Sequence, residues 1–232
     1  MNERLSKQDL KNDPLMRHTG EVVDFAQHHV RILLGTAAAL VVAVVVVVIL
    51  RGAGARADDV AAGMLAEARG DLAKANPDAA AARLHDILEF HGGTTSGKQA
   101  LLLNADIRFD QGRYDEALTY YERAARAFAG DPVLGATAQR GLAATYENQG
   151  NHAKAVEIYE ALYGQTQDPL LRAELGLDLA RNYVKLQRDA DAERVYQEVA
   201  KNPVNIRAAQ EAKQLLAEVR SLRAASRDPG IR

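Results

Sequence analysis

Residues 141 to 162 read GLAATYENQGNHAKAVEIYEAL, and this stretch decides the fold. Its small and aromatic residues return on either side of it at a spacing of 37 or 38 residues. The matching sets are Ala117, Ala155 and Ala192; Tyr121, Tyr159 and Tyr196; Tyr146 and Tyr183; and Asp131-Pro132 and Asp168-Pro169. A period of this length is typical of solenoids in which every repeat is one helical hairpin. We therefore predict a stack of helical hairpins.

The residues within each repeat suit two antiparallel helices joined by a short turn. In the first repeat we expect a helix over residues 98 to 111, a stop at Gly112 and a second helix from Asp115. Ala117 would lie where the two helices approach most closely, because a larger side chain there would push them apart. Asp131-Pro132 closes the repeat, since proline disfavours helix at the residue before it and can open the next helix. The repeats are predicted at residues 98–132, 136–169 and 173–203, the last with Gln187 in place of the turn glycine.

Further helices are expected on both sides of these repeats. Ala80, Leu84 and Ile87 fall at the offsets of the apolar positions on the second helix of the following repeat, which predicts a degenerate earlier hairpin at residues 58–95. Residues 205–225 form one amphipathic pattern, and a solenoid needs such a terminal helix to cover its last apolar face. Residues 226–232 are predicted to be a disordered tail.

Composition favours helices and excludes several classes of protein. The 232-residue chain is 47% hydrophobic but only 5% aromatic, without tryptophan, so alanine and leucine carry the apolar content and an all-α fold is expected. The net charge is −2 and the sequence shows no basic face, which argues against nucleic-acid binding. The absence of cysteine excludes disulfides, thiolate metal sites, a cysteine nucleophile and a lipoprotein anchor.

The N-terminal region carries one long apolar segment. Residues 32–50 are nineteen positions without a charge, and as a helix they cover about 28 Å, close to the thickness of the bilayer core. We predict a short cytoplasmic segment at 1–31, a transmembrane helix at 32–50 and, because of Gly52 and Gly54, a flexible linker at 51–57. A buried core helix is one alternative. A cleaved signal peptide is another, since Ala55-Arg56-Ala57 resembles a cleavage site, although the apolar run is long and 31 residues precede it.

The charges that flank this segment bear on its orientation. Five lysines and arginines precede it, whereas Arg51, Arg56 and Arg69 follow within about twenty residues. Because basic residues favour the cytoplasmic side, we expect the C-terminal domain outside the cytoplasm, in the periplasm of a bacterium.

The glycine-rich segment at residues 92 to 98 fits seven positions of the phosphate-binding motif G-x-x-x-x-G-K-[ST]. Gln99 occupies the eighth position, so the hydroxyl that binds magnesium is missing, and a helical pattern rather than a strand precedes the segment. We therefore predict no nucleotide site.

The histidines and paired carboxylates do not form metal or catalytic sites. His28 and His29 are adjacent and would point about 100° apart on a helix, while His85 and His91 have no further ligand at a suitable spacing. Asp58-Asp59 and Asp115-Glu116 stand at helix N-termini, where acidic residues favour the helix dipole. We predict no catalytic residue, metal or cofactor, and hence no enzyme.

The repeat pattern resembles the tetratricopeptide repeat, in which small and aromatic residues on a first helix precede glycine and then alanine, an aromatic residue and alanine on a second. Asn104 and Arg108 depart from it, no tryptophan is present, and the units exceed 34 residues. The resemblance implies a partner-binding groove along the first helices, where Arg140, Arg181 and Lys185 could pair carboxylates. Its residues would be Gln99, Asp106, Asp110, Arg140, Asn148, Arg181 and Lys185. The lysine and asparagine set of the carboxylate-clamp subtype is not reproduced.

The order of segments, with one span followed by an exported repeat array, resembles the bacterial inner-membrane family of ancillary subunits of the Sec translocon. That resemblance implies protein partners: translocon subunits at the membrane helix, and exported polypeptides or a periplasmic chaperone at the solenoid. The alternative is a scaffold for an envelope or cell-division complex. A client-handling factor would bind many unfolded chains, whereas a scaffold would bind one saturable partner.

Overall fold

The computed structural model describes the chain from residue 14 to residue 227, and over that range it is all-helical, with no strand. We number the helices α1 to α9 in chain order. They are α1 Pro14–Ala73, α2 Pro77–Phe90, α3 Thr95–Asp110, α4 Tyr114–Ala127, α5 Pro132–Asn148, α6 His152–Gln165, α7 Pro169–Lys185, α8 Asp189–Ala200 and α9 Ile206–Arg227. Residues 1–13 of the predicted cytoplasmic segment, the His28 and His29 side chains and residues 228–232 of the predicted tail lie outside the described residues; residues 226 and 227 still belong to α9.

The first compact unit, residues 1–56, contains most of the apolar part of α1. The helical stretch Leu34–Ala73 is long and apolar enough to cross a membrane by length and composition. Every side chain from 34 to 50 is exposed, so this segment is not a buried core helix of the described chain. Residues 51–57 were expected to be a flexible linker but are helical instead. No proline interrupts them, and the alanines and arginines around Gly52 and Gly54 favour helix enough to offset a cost of about 1 kcal/mol per glycine.

The second compact unit, residues 57–232, is a stack of helical hairpins. The end of α1 shares a buried cluster with α2 and α3, and the pairs α3/α4, α5/α6 and α7/α8 follow. Each described helix from α2 onward packs against the next one. The first helices of successive hairpins also contact each other, α3 with α5 and α7 with α9, so they line the inside of the stack. Helix α9 covers the last hairpin through contacts with both α7 and α8.

Four turns within the hairpins share one backbone geometry. Ala75, Gly112, Gly150 and Gln187 have φ values of 56°, 72°, 76° and 59°. In each turn the following residue donates its N–H to the carbonyl five residues earlier: Asn76 to Asp71 (2.9 Å), Arg113 to Arg108, Asn151 to Tyr146 and Arg188 to Tyr183 (2.8 Å each). A left-handed residue with these bonds is a common helix C-terminal cap. The first of the four turns lies 37 residues before the second, which places the degenerate hairpin in register with the clear ones.

The connections between hairpins are closed by N-terminal caps. Asp131 accepts hydrogen bonds from the N–H groups of Val133 and Leu134 (2.9 Å each), and Asp168 accepts one from Leu170 (2.9 Å). A proline follows each aspartate at the first helical position, where a missing N–H costs nothing. The repeated Asp-Pro pairs therefore start α5 and α7, as the spacing predicts.

The alanine and tyrosine positions that define the period form the core. Ala117, Ala155 and Ala192 are completely buried, and Tyr121, Tyr159 and Tyr196 are nearly so. In the degenerate hairpin Ala80, Leu84 and Ile87 are also completely buried. Burial of a side chain such as leucine contributes roughly 1.5–3 kcal/mol. Packing is close enough that a Cβ on Gly141 would lie 2.2 Å from the Tyr121 ring, which explains a glycine inside α5.

Candidate partner-binding groove

The inner surface of the stack is formed by α3, α5, α7 and α9, and the residues predicted to line a groove all lie on the first three of these helices. None of them is buried. Asp106, Asp110, Asn148 and Lys185 are exposed, whereas Gln99, Arg140 and Arg181 are half-buried. The structure thus distributes the predicted residues over three neighbouring helices that face one surface.

Arg140 and Arg181 are engaged by carboxylates of the chain itself. Arg140 donates from Nη1 to Glu174 Oε2 (2.9 Å) and from Nη2 to Asp178 Oδ2 (3.3 Å). Arg181 donates from Nη2 to Asp178 Oδ1 and from Nη1 to Glu211 Oε1 (3.0 Å). These five residues form an arginine–carboxylate ladder across α5, α7 and α9. Each half-exposed pair contributes about 0–1 kcal/mol, so the ladder fixes the positions of these side chains more than it stabilises the fold.

This pairing changes the chemistry expected at the groove. The two arginines were expected to be available to carboxylates of a partner, but their guanidinium groups already face Glu174, Asp178 and Glu211. Lys185 remains exposed at the end of α7, and no hydrogen bond or ion pair joins it to another described residue.

Two groove carboxylates lie in partly desolvated surroundings. Burial raises the pKa of Asp178, while Arg181 and Arg140 act in the opposite direction. Asp106 is exposed as a residue, but its Oδ1 accepts a 2.6 Å hydrogen bond from the Tyr121 hydroxyl. Desolvation of that carboxyl raises its pKa, which the hydrogen bond from Tyr121 partly opposes. Both carboxyls are held by neighbours instead of moving freely in water.

The groove face carries more negative than positive charge. Its carboxylates are Asp106, Asp110, Glu147, Glu174, Asp178 and Glu211, and its cations are Arg140, Arg181 and Lys185. Six negative charges against three positive ones leave a formal charge of −3. Glu147 belongs to this face because Tyr159 donates to it (3.3 Å) and because its charge raises the pKa of Asp178. The groove as a whole therefore attracts cations.

The sequence prediction missed four of these carboxylates. Glu174 lies 75 residues after Gln99, two repeats further on, so its offset alone could have identified it. Asp178 lies three residues before Arg181, on the same helix face. Glu211 could not be found this way, because it belongs to the terminal helix, which does not carry the repeat pattern.

A second concave feature lies at the edge of the stack. A cleft of about 680 Å³ opens between the α4–α5 connection and the α6–α7 connection. Its apolar lining includes Phe128, Leu162, Leu171 and Leu175, and Arg140 reaches it from the side of the groove. No sequence pattern predicts this cleft, because it is formed by two connections that lie 37 residues apart.

The glycine-rich segment at residues 92 to 98 forms the α2–α3 connection and the first turn of α3, and it is packed. The Ser96 N–H donates to Asp58 Oδ1 (2.7 Å) and the Gly97 N–H donates to Thr94 Oγ1 (2.9 Å), so two of its amides already have acceptors within the chain. A Cβ on Gly97 would lie 2.1 Å from the His91 carbonyl oxygen, which explains that glycine by close packing. Among the described residues, no group of three or more histidines and carboxylates could hold a metal ion.

Comparison with known proteins gives matches to one type of helical repeat. Two family models, both described as tetratricopeptide repeat, match residues 60–132 and 99–167. A tetratricopeptide repeat protein from Parabacteroides merdae has a similar structure, with a TM-score of 0.59 at 19% identity over 69% of this chain. This chain spans 60% of that protein's length. Repeats of a putative kinesin light chain from Podosopora anserina give a TM-score of 0.53 at 20% identity, over 71% of this chain and 95% of that one. No protein of curated function matches the sequence.

Proposed function

We propose that this chain is a non-catalytic, membrane-anchored adaptor that binds protein partners in the groove of α3, α5, α7 and α9. Support comes from the match of residues 60–167 to tetratricopeptide-repeat models, since such repeats form protein–protein interaction modules. The observation that carries the proposal is the formal charge of −3 on this groove, with both arginines already paired. A segment with lysines or arginines would find unpaired carboxylates such as Asp110 there. A carboxylate-rich segment would be repelled.

We further propose that the adaptor is attached to the bacterial inner membrane by residues 32–50, with its repeat domain in the periplasm. There it would act as an ancillary factor of the Sec translocon that receives exported polypeptides and passes them to a periplasmic chaperone. The proposal is supported by the order of segments, one helix able to cross a membrane followed by an interaction module, and by the excess of basic residues before that helix.

Site-specific photocrosslinking in cells tests this function. A photoreactive residue at position 185 probes the groove, since Lys185 is exposed and its replacement leaves the ladder intact. The same residue at position 44 probes the span, and position 157 on the outer face of α6 is the matched control, because Glu157 is equally exposed. Adducts of translocon subunits from position 44, with exported chains or a chaperone from position 185 alone, are the expected result. One discrete envelope partner without translocon adducts would show the scaffold instead.

The charge of the groove is tested by repeating the crosslinking with Asp110→Asn. Asp110 is exposed, so the substitution leaves the fold intact and removes one attractive charge. The yield of adducts from position 185 should be lower with Asp110→Asn than without it. Without the substitution, the yield should also decrease as the salt concentration rises, because salt screens exposed charges. Glu157→Gln removes the same charge from the outer face and should leave the yield unchanged. Equal yields from both variants and from wild type would contradict an acidic binding groove.

A further inference from the structure

The exposed apolar side chains of the repeat domain are not scattered. Between residues 57 and 225, the described large apolar residues that are exposed are Val60, Phe90, Val133, Leu170, Val204, Ile206 and Leu222. Phe90, Val133, Leu170, Val204 and Ile206 lie where a first helix begins or a second helix ends, and Val60 lies within α1 near the start of the second compact unit. Val133 and Leu170 are the second residues of α5 and α7, and Phe90 is the last residue of α2. We call these six residues the apolar edge.

Contacts join these segments into one continuous edge. The Ser96 N–H at the start of α3 donates to Asp58 Oδ1 (2.7 Å), close to Val60. The α4–α5 and α6–α7 connections line the same cleft, with Val133 on its rim. Asn202 Nδ2, before Val204, donates to the carbonyl oxygen at the start of α7 (2.8 Å). The edge therefore runs along the length of the domain.

The opposite edge has a different character. It is formed by the four turns within the hairpins, and exposed polar residues such as Arg113, Gln149 and Arg188 follow one another there. Single exposed apolar residues are normal on a soluble protein. Their confinement to one edge, opposite a polar one, is the asymmetry expected of a domain that lies at a boundary between water and an apolar phase.

The chain itself enters the domain at the apolar edge. Asp58 accepts a hydrogen bond from the start of α3. It lies eight residues after Leu50, the last residue of the apolar segment. Even a fully extended chain of that length spans no more than about 29 Å. If residues 32–50 cross a bilayer, as the proposed function holds, connectivity alone keeps the end of this edge at Asp58 within reach of the lipid surface.

We propose that the apolar edge of the repeat domain rests on the surface of the lipid bilayer, with its six apolar side chains at the boundary between headgroups and acyl chains. Three carboxylates of this edge, Asp58, Asp131 and Asp168, each accept hydrogen bonds from backbone N–H groups at helix starts. Asp59 and Glu89 are exposed there and would lie at the level of the lipid headgroups. The inference rests on the membrane anchor of the proposed function, and it adds that the domain itself contacts lipid.

Fluorescence from single cysteines tests the contact, and the absence of native cysteine makes each label unique. The full chain is reconstituted into phospholipid vesicles that contain a lipid with a quencher at its acyl chain. An environment-sensitive dye is attached to Val133→Cys or Leu170→Cys at the apolar edge. Lys74→Cys and Ala190→Cys, both exposed at the opposite edge, are the matched controls. We expect a blue shift and loss of emission from the first pair and neither change from the second.

Three results would overturn the proposal. The first is emission typical of water, without quenching, at all four positions, and the second is equal quenching at both edges. The third is a shift at positions 133 and 170 that needs native membranes and is absent from pure lipid vesicles, which would assign the edge to a membrane protein instead of lipid. The membrane anchor of the proposed function is tested separately by flotation of the same vesicles after alkaline extraction. A chain that alkaline extraction removes from the vesicles is not anchored by a transmembrane helix, whatever the fluorescence shows.

Discussion

A buried asparagine is the weakest point of the core. Asn104 is 1% exposed, and neither its Oδ1 nor its Nδ2 has a hydrogen-bond partner. Arg108 Nε, one turn later, is buried and makes no hydrogen bond either, but it lies 3.6 Å from Glu116 Oε2 in an ion pair. Both residues depart from the repeat pattern of the two following hairpins, which have leucine (Leu142, Leu179) and tyrosine (Tyr146, Tyr183) at these two positions. An unsatisfied buried polar group costs roughly 1–3 kcal/mol. The departure from the repeat pattern at Asn104 is thus also the place where both polar atoms of a buried side chain are left unsatisfied.

Replacing this asparagine should stabilise the protein. We expect Asn104→Leu to raise the free energy of unfolding by about 1–2 kcal/mol, because it removes the unpaired amide and restores the usual apolar residue. For a domain of this size the melting temperature should rise by about 2–8 °C, measured by circular dichroism on the detergent-solubilised chain.

The matched control is Asn182, which is also completely buried but whose amide donates to the Asp178 carbonyl (2.8 Å) and pairs with His152 (2.9 Å). Asn182→Leu should lower the melting temperature. If Asn104→Leu lowers the melting temperature as well, Asn104 stabilises the folded protein although it has no hydrogen-bond partner, and the prediction is wrong.

The element that defines each hairpin is its turn. All four turns have one left-handed residue and the same backbone hydrogen bonds, yet only two of these residues are glycine. Ala75 and Gln187 hold the left-handed conformation with a Cβ present, which costs roughly 1–2 kcal/mol. The packing of the hairpins on either side imposes the turn even where the local sequence does not favour it.

Glycine at the two strained turns should therefore stabilise the stack. We expect Gln187→Gly and Ala75→Gly each to raise the free energy of unfolding by about 0.5–1 kcal/mol, the strain relieved being partly offset by the greater freedom of glycine in the unfolded chain. Thermal unfolding followed by circular dichroism measures the change. Gly150→Ala introduces the same strain at a relaxed turn and should lower stability by a similar amount; unchanged stability in all three variants would contradict this account.

The hairpins could be predicted from the sequence because each depends on residues that are close together in the chain. Ala117, Ala155 and Ala192 repeat because every hairpin has the same close approach, and the period follows from that local requirement. The ladder could not be predicted in the same way. Its pairs join Arg140 to residues 34 and 38 positions away, and which carboxylate meets which arginine depends on how α5, α7 and α9 are stacked. Residues 51–57 were expected to be a linker because Gly52 and Gly54 disfavour helix, but the residues around these glycines favour helix enough to continue it.

At the scale of the whole molecule, one helix able to cross a membrane precedes an interaction domain with an acidic inner face. If the domain lies in the periplasm, a cysteine on its surface should be open to reagents that cannot cross the inner membrane. We expect Glu157→Cys to react with a membrane-impermeant maleimide in intact spheroplasts, as completely as after lysis. Labelling that appears only after lysis would place the domain in the cytoplasm and exclude contact with exported chains outside.

The contacts between the described helices also bear on how the chain reaches its folded state. They join helices that are adjacent in the sequence or next but one, so no hairpin depends on a distant part of the chain to bury its core. Short loops of this kind close quickly. During synthesis the chain can complete α1 with α2 while α9 is still being made. Each new hairpin then shields the apolar face left by the one before it, which limits aggregation of the unfinished chain.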